Sequence, residues 1–135
     1  MIRSVLAIIA GYIILSVLAI ATALALNTIL PGIAKFPPSR LDFALINLTF
    51  ITLYSVVAGF AVATIARRLP LRHGVIFGIV LLTLGGAFNF FEARGAALWY
   101  PLTVAMMECA GAILGGYLKA RRIPKQRAAT LVSLM

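Results

Sequence analysis

The sequence predicts an all-α integral membrane protein: four transmembrane helices arranged as two antiparallel hairpins, with both termini cytoplasmic. Three observations carry that prediction. The 135 residues are 63% hydrophobic and 11% charged, with a mean hydropathy of +1.09, which leaves too little polar side chain to cover a water-soluble surface. Apolar runs recur four times, each near the roughly 20 residues that a helix needs to cross a bilayer. The basic residues flank those runs unevenly, as topogenic charges do. A net charge of +9 distributed in this way fits anionic lipid headgroups and not nucleic acid. The whole chain, 1–135, reads as one domain.

The first span covers about residues 4–30, after the single charge of Arg3. Ala23-Leu24-Ala25 resembles a signal-peptide cleavage site. The apolar run is longer than the roughly 15 residues of a secretory signal core, so an uncleaved span is expected. Ser4, Ala7, Gly11, Leu18, Thr22 and Ala25 form one stripe of mostly small or weakly polar residues, suited to close helix contact. Pro31-Gly32 then breaks the helix and Pro37-Pro38 extends the chain. Ser39 with Asp42 three residues on resembles a capping box, placing the next helix start near Arg40.

The second span covers about 43–66, with Thr52, Ser55, Gly59, Ala63 and Ala66 on one face and Arg67 and Arg68 as its stop. Residues 69–73 read as a tight turn back into the membrane. His73, the only histidine, reads as an interfacial polar residue; ligation of a metal or pigment is the weaker reading. One histidine and one cysteine, Cys109, leave no intrachain disulfide and no Cys/His metal site, so no cofactor is expected.

The third span covers about 74–91. Gly74-x-x-x-Gly78 is a close-packing pair, and Gly85-Gly86 is a soft point where the helix could bend. Gly74, Gly78, Gly85, Asn89 and Glu92 share a face. Phe88, Phe90, Phe91, Trp99 and Tyr100 gather at one end as an aromatic belt. The fourth span covers about 97–118. Lys119, Arg121 and Arg122 stop it, Pro124 is expected to end the helix, and a basic tail follows over 119–135.

Orientation follows from the charges. Arg3, Arg67, Arg68, Arg72, Lys119, Arg121, Arg122, Lys125 and Arg127 fall on one side; Lys35, Arg40 and Arg94 fall on the other. The positive-inside rule makes the first set cytoplasmic and a contact surface for anionic lipid or a partner. A weak repeat links the hairpins: Ala58-Gly59-Phe60 before Arg67-Arg68, and Gly115-Gly116-Tyr117 before Arg121-Arg122. Their spacings differ, so no gapless alignment carries both.

Over most of its length the chain resembles uncharacterised small bacterial four-helix inner-membrane proteins. The shared features are a basic start into a glycine-containing span (residues 3–11), a Gly-aromatic helix ending in Ala-Arg-Arg (59–68), the connector RLPLRHG (68–74) and the ending GGYLKARR (115–122). These are topology and packing motifs. The resemblance implies a bacterial cytoplasmic membrane location and no particular chemistry.

One residue resists a topological explanation. Glu108 falls near the middle of the fourth span, level with Ser16, Tyr54, Ser55 and Thr83. A charged acid there costs about 2.5–3.5 kcal/mol on insertion scales, so it carries its proton or faces the bundle interior. Gly111-x-x-x-Gly115 shares its face, which turns Glu108 toward other helices. It is then either a hydrogen-bonded lock among Ser, Thr and Tyr hydroxyls, the favoured reading, or a proton- or cation-binding group.

Enzyme chemistry is not expected: no nucleophile set, paired carboxylates or phosphate loop is present. The leading expectation is a structural or accessory subunit that packs against other membrane-protein subunits, in a hetero- or homo-oligomer, through Gly11, Gly59, Gly74, Gly78, Gly111 and Gly115. The alternative is a small proton- or ion-coupled transporter or channel using Glu108. A pigment- or quinone-associated subunit using His73 or the aromatic cluster is weaker.

Overall fold

A computed structural model describes residues 2–29, 40–66, 69–92 and 99–133; the side chains of residues 2, 89, 92 and 123–133 are outside this description. The described residues are helical apart from short connections. The elements are α1 (Ile2–Ile29), α2 (Leu41–Ala66), α3 (Pro70–Val80), a π-helical turn (Leu81–Gly85), α4 (Gly86–Glu92) and α5 (Trp99–Ser133). The segment from α3 through α4 is one rod. Among the described residues four helices are long and apolar enough to cross a membrane: Arg3–Ile29, Leu41–Ala66, Pro70–Phe88 and Trp99–Arg122.

The centre of the bundle is α5. It is 44% buried over its most apolar stretch, against 11% for α1. Glycine explains how two helices reach it. Gly59 lies on the Ala112 backbone, Gly111 on Ser55 and the Thr52 carbonyl, and Gly115 on Val56 and Phe60, so α2 runs parallel to α5 in close contact. On the other side Gly74 meets Gly116, and Gly78 meets Cys109 and Ile113, so α3 runs antiparallel to α5. A Cβ on Gly74 would stand 2.9 Å from the Gly116 Cα, a distance that only glycine permits. The peripheral helix α1 lays Ala7 and Gly11 against Val62 and Phe77 in a core completed by Ala58, Leu81 and Ala112.

Of the small-residue stripe of α1, Ala7 and Gly11 are buried, Ser4, Leu18 and Thr22 half-buried and Ala25 exposed, and Ser4 and Thr22 hydrogen-bond to neighbouring helices. The outer face is apolar, with Val5, Ile13, Val17, Leu53, Leu84, Leu102 and Met106 more than half exposed. An apolar face of this extent is the kind that a bilayer's hydrocarbon or another protein covers.

One end of the bundle is basic. Arg3 lies beside Thr64 and Ile65. The Lys119 Nζ sits 5.5 Å and the Arg122 guanidinium 5.3 Å from the Phe60 ring centroid. His73 Nδ1 donates to the Leu69 carbonyl at 3.1 Å, leaving Nε2, 3.0 Å from Ser4 Oγ, to accept from that hydroxyl in the neutral ring. Both ring nitrogens are thus engaged, and metal or pigment ligation would break a bond. At the opposite end Arg40 pairs with Asp42 at 2.9 Å, and Asn47 donates to the Tyr100 hydroxyl.

Two helix boundaries differ from expectation. The third helix starts at Pro70 and not at residue 74. Leu69 stands in the connection at φ 47°, the one positive φ among described non-glycine residues, and Pro70 then has the φ that a first helical position needs. The fourth helix does not end at Pro124: α5 continues to Ser133. Proline removes one helical hydrogen bond, but the residues after it (Lys125, Gln126, Arg127, Ala128, Ala129) are good helix formers. The tail over 119–135 is therefore largely a helical extension. Ser39, Arg67 and Arg68 lie outside the described residues, as do the side chains of Lys125 and Arg127. Arg72 and Arg121 are exposed, and Arg121 stacks on Tyr117 at 5.2 Å.

Candidate functional site

Glu108 projects from α5 toward the π turn. Gly85 makes room for it: a Cβ at that position would lie 2.8 Å from Glu108 Oε2. The π turn is where sequence and packing meet. Gly85 and Gly86 hold the α-helix weakly, and widening to π geometry re-aims the residues that follow. Such turns often lie at functional sites.

Glu108 is only 7% exposed, and among the described residues its Oε2 has no hydrogen-bond partner. It reaches the floor of a cleft of about 680 Å³ between α1 and the rod formed by α3, the π turn and α4. Tyr12, Leu15 and Ser16 of α1 form one wall; Leu81, Gly85 and Phe88 form the other. Glu108 and Tyr12 are the titratable groups on that lining.

The residues level with Glu108 in sequence divide here. Ser16 shares the cleft. Tyr54 does not: its hydroxyl donates to Thr22, beside a separate cavity of about 220 Å³ that also borders Asn27, Asn47 and Phe50. Ser55 is fully buried between α2 and α5, and its Oγ is also without a partner among the described residues. Thr83 is exposed and donates back to Ile79 and Val80 at 2.9 and 3.2 Å. It sits two residues before Gly85 on the π turn, so when Gly85 faces α5 Thr83 does not.

Among the described residues no hydrogen bond joins Glu108 to the hydroxyls expected around it. Depth placed those hydroxyls together, but rotation about each helix axis separates them. Sequence reasoning also missed Tyr12, which stands one turn before Ser16 on the same face; that spacing was the available signal. The partners of Tyr54 and Tyr100, Thr22 and Asn47, were likewise missed.

Chemically the site is an acid, its Oε2 without a partner among the described residues, beside apolar walls and two hydroxyls. It has the acceptor for a proton or a cation and no nucleophile activated by a base. Among the described residues no three His, Cys, Asp or Glu side chains gather as a metal site would require. No family model matches the chain, and no curated protein or solved structure matches it.

Proposed function

We propose that this chain is a multi-pass membrane protein of the small carrier or channel class, in which Glu108 binds and releases a proton or cation. The single observation that carries the reading is the buried Glu108 carboxyl, which lines a cleft and whose Oε2 has no partner among the described residues. Ionisable groups at membrane depth are expensive, and they commonly mark ion or substrate paths. The absence, among the described residues, of a hydrogen bond to Glu108 Oε2 supports this reading over a structural lock. The small-residue stripes, which favoured an accessory role, pack against one another within the chain.

The proposal places the protein in a bacterial cytoplasmic membrane with both termini cytoplasmic. Support comes from the clustering of Arg3, Lys119 and Arg122 at one end, from the positive-inside rule and from the resemblance noted above. It assigns no covalent chemistry to the chain. Proton movement in proteoliposomes tests it: Glu108→Gln abolishes the movement and leaves assembly intact, whereas equal movement contradicts the reading.

A second reading, an accessory subunit of a membrane complex, is favoured by one observation. Helix α5 continues past its apolar span from Arg122 to Ser133, a basic helical extension suited to an anionic leaflet or an acidic partner. Deleting residues 124–135 then releases the protein from whatever co-purifies in mild detergent; unchanged co-purification removes that reading.

A further inference from the structure

The cleft above Glu108 is chemically one-sided. Its polar groups are the Glu108 carboxyl at the floor and the Tyr12 and Ser16 hydroxyls on the α1 wall. Leu15, Leu81 and Phe88 represent the apolar remainder, and among the described residues no basic side chain lines it. Its volume, about 680 Å³, lies within the roughly 300–1,000 Å³ of small-molecule sites. An orphan acidic acceptor at the end of an apolar slot is complemented by an N–H-bearing cation on a hydrocarbon tail, because charge-assisted hydrogen bonds are strongest in a dry setting. A neutral alcohol would fill the slot and leave the acid unmatched. A fatty acid would bring a second acid to the first.

We infer that this cleft is a binding site for an amphiphilic primary amine. The ammonium head bonds the Glu108 carboxyl, and the tail lies between α1 and the rod against Leu15, Leu81 and Phe88. The Tyr12 and Ser16 hydroxyls, on one face of α1, line the same cleft as further acceptors for the head group. The ligand enters sideways from the acyl-chain region, because α1 packs mainly on α2 and meets α3 from Ser4–His73 to Gly11–Phe77, before the cleft begins at Tyr12 and Leu81. This inference rests on the reading of Glu108 as an accessible acid, and gives that reading a substrate class.

The test uses the full chain in lipid nanodiscs, treated with dicyclohexylcarbodiimide in the presence of decylamine or, separately, ethanolamine. Peptide mass spectrometry then reads position 108. The carbodiimide activates the carboxyl; an amine already seated there displaces the urea, which carries away the carboxyl oxygen, and an amide bond remains. The expected result is a decylamide at Glu108 at least tenfold above the ethanolamide. The N-acylurea without excess decylamide shows an accessible acid that holds no amine; it overturns the inference and leaves the proposed function standing. No modification at Glu108 with carbodiimide alone overturns both.

Discussion

The Glu108 carboxyl stands where a side chain at position 85 would otherwise be. A Cβ on Gly85 would meet Oε2 at 2.8 Å and Cδ at 3.9 Å. The atom in the way is the far end of a flexible side chain, so the two helices do not have to part to admit a methyl group. Gly85→Ala is therefore expected to move the carboxyl and to leave the bundle assembled. Its thermal stability should stay within a few degrees of the parent, while Glu108-dependent proton movement falls at least threefold. Unchanged movement would mean that the space beside Gly85 is not what positions the acid.

Other glycines meet backbone, which cannot give way. A Cβ on Gly59 would run into the Ala112 carbonyl, and one on Gly115 into the Val56 carbonyl. Gly59→Ala and Gly115→Ala are each expected to destabilise by about 1–3 kcal/mol or more, the usual cost of overpacking. Gly86→Ala is the control: its Cβ would meet only the Ala105 Cβ at 3.4 Å, so a change within about 0.5 kcal/mol is expected. Reversible unfolding in mixed micelles measures all three, and a fully tolerated Gly59→Ala would argue against the α2–α5 contact.

Ser55 buries a hydroxyl that accepts and donates nothing among the described residues. Leaving such a group unpaired costs about 1–3 kcal/mol. Ser55→Ala is accordingly expected to leave stability unchanged or to raise it by about 1 kcal/mol in the same assay. A clear loss would show that Ser55 has a bonding partner, and would revive a hydrogen-bonded lock between α2 and α5.

Tyr54 and Thr22 join α2 to α1 by one interhelical hydrogen bond. Such bonds in membrane proteins average about 0.6 kcal/mol, with a maximum near 1.7. A double-mutant cycle with Tyr54→Phe and Thr22→Val should return a coupling in that range. A cycle that closes at zero would separate the two hydroxyls.

Much of this fold was legible in the sequence because membrane spans are written in run length, and run length needs no knowledge of neighbours. Packing glycines were legible for a similar reason: Gly74-x-x-x-Gly78 and Gly111-x-x-x-Gly115 each mark a face on a single helix. What was not legible depends on two helices at once. Ser16, Tyr54, Ser55 and Thr83 share a depth with Glu108, yet only Ser16 shares its cleft, because depth is set along one helix and azimuth by how helices dock. The π turn at Leu81–Gly85 has the same character: Gly85-Gly86 announces weakness, and only the acid on α5 shows how the weakness is used. The continuation through Pro124 was misread for a local reason. A proline lowers helix stability at one position, and the helix formers after it offset that loss.

The most direct test of the central claim, that Glu108 is an exchanging acid in an open cleft and not a structural lock, is the collapse of an imposed pH gradient across proteoliposomes. The wild-type chain is expected to speed the collapse at least tenfold over empty liposomes, and Glu108→Gln to return it to the empty-liposome rate while the protein remains folded and inserted. Equal rates for wild type and Glu108→Gln, whether fast or slow, would contradict the account.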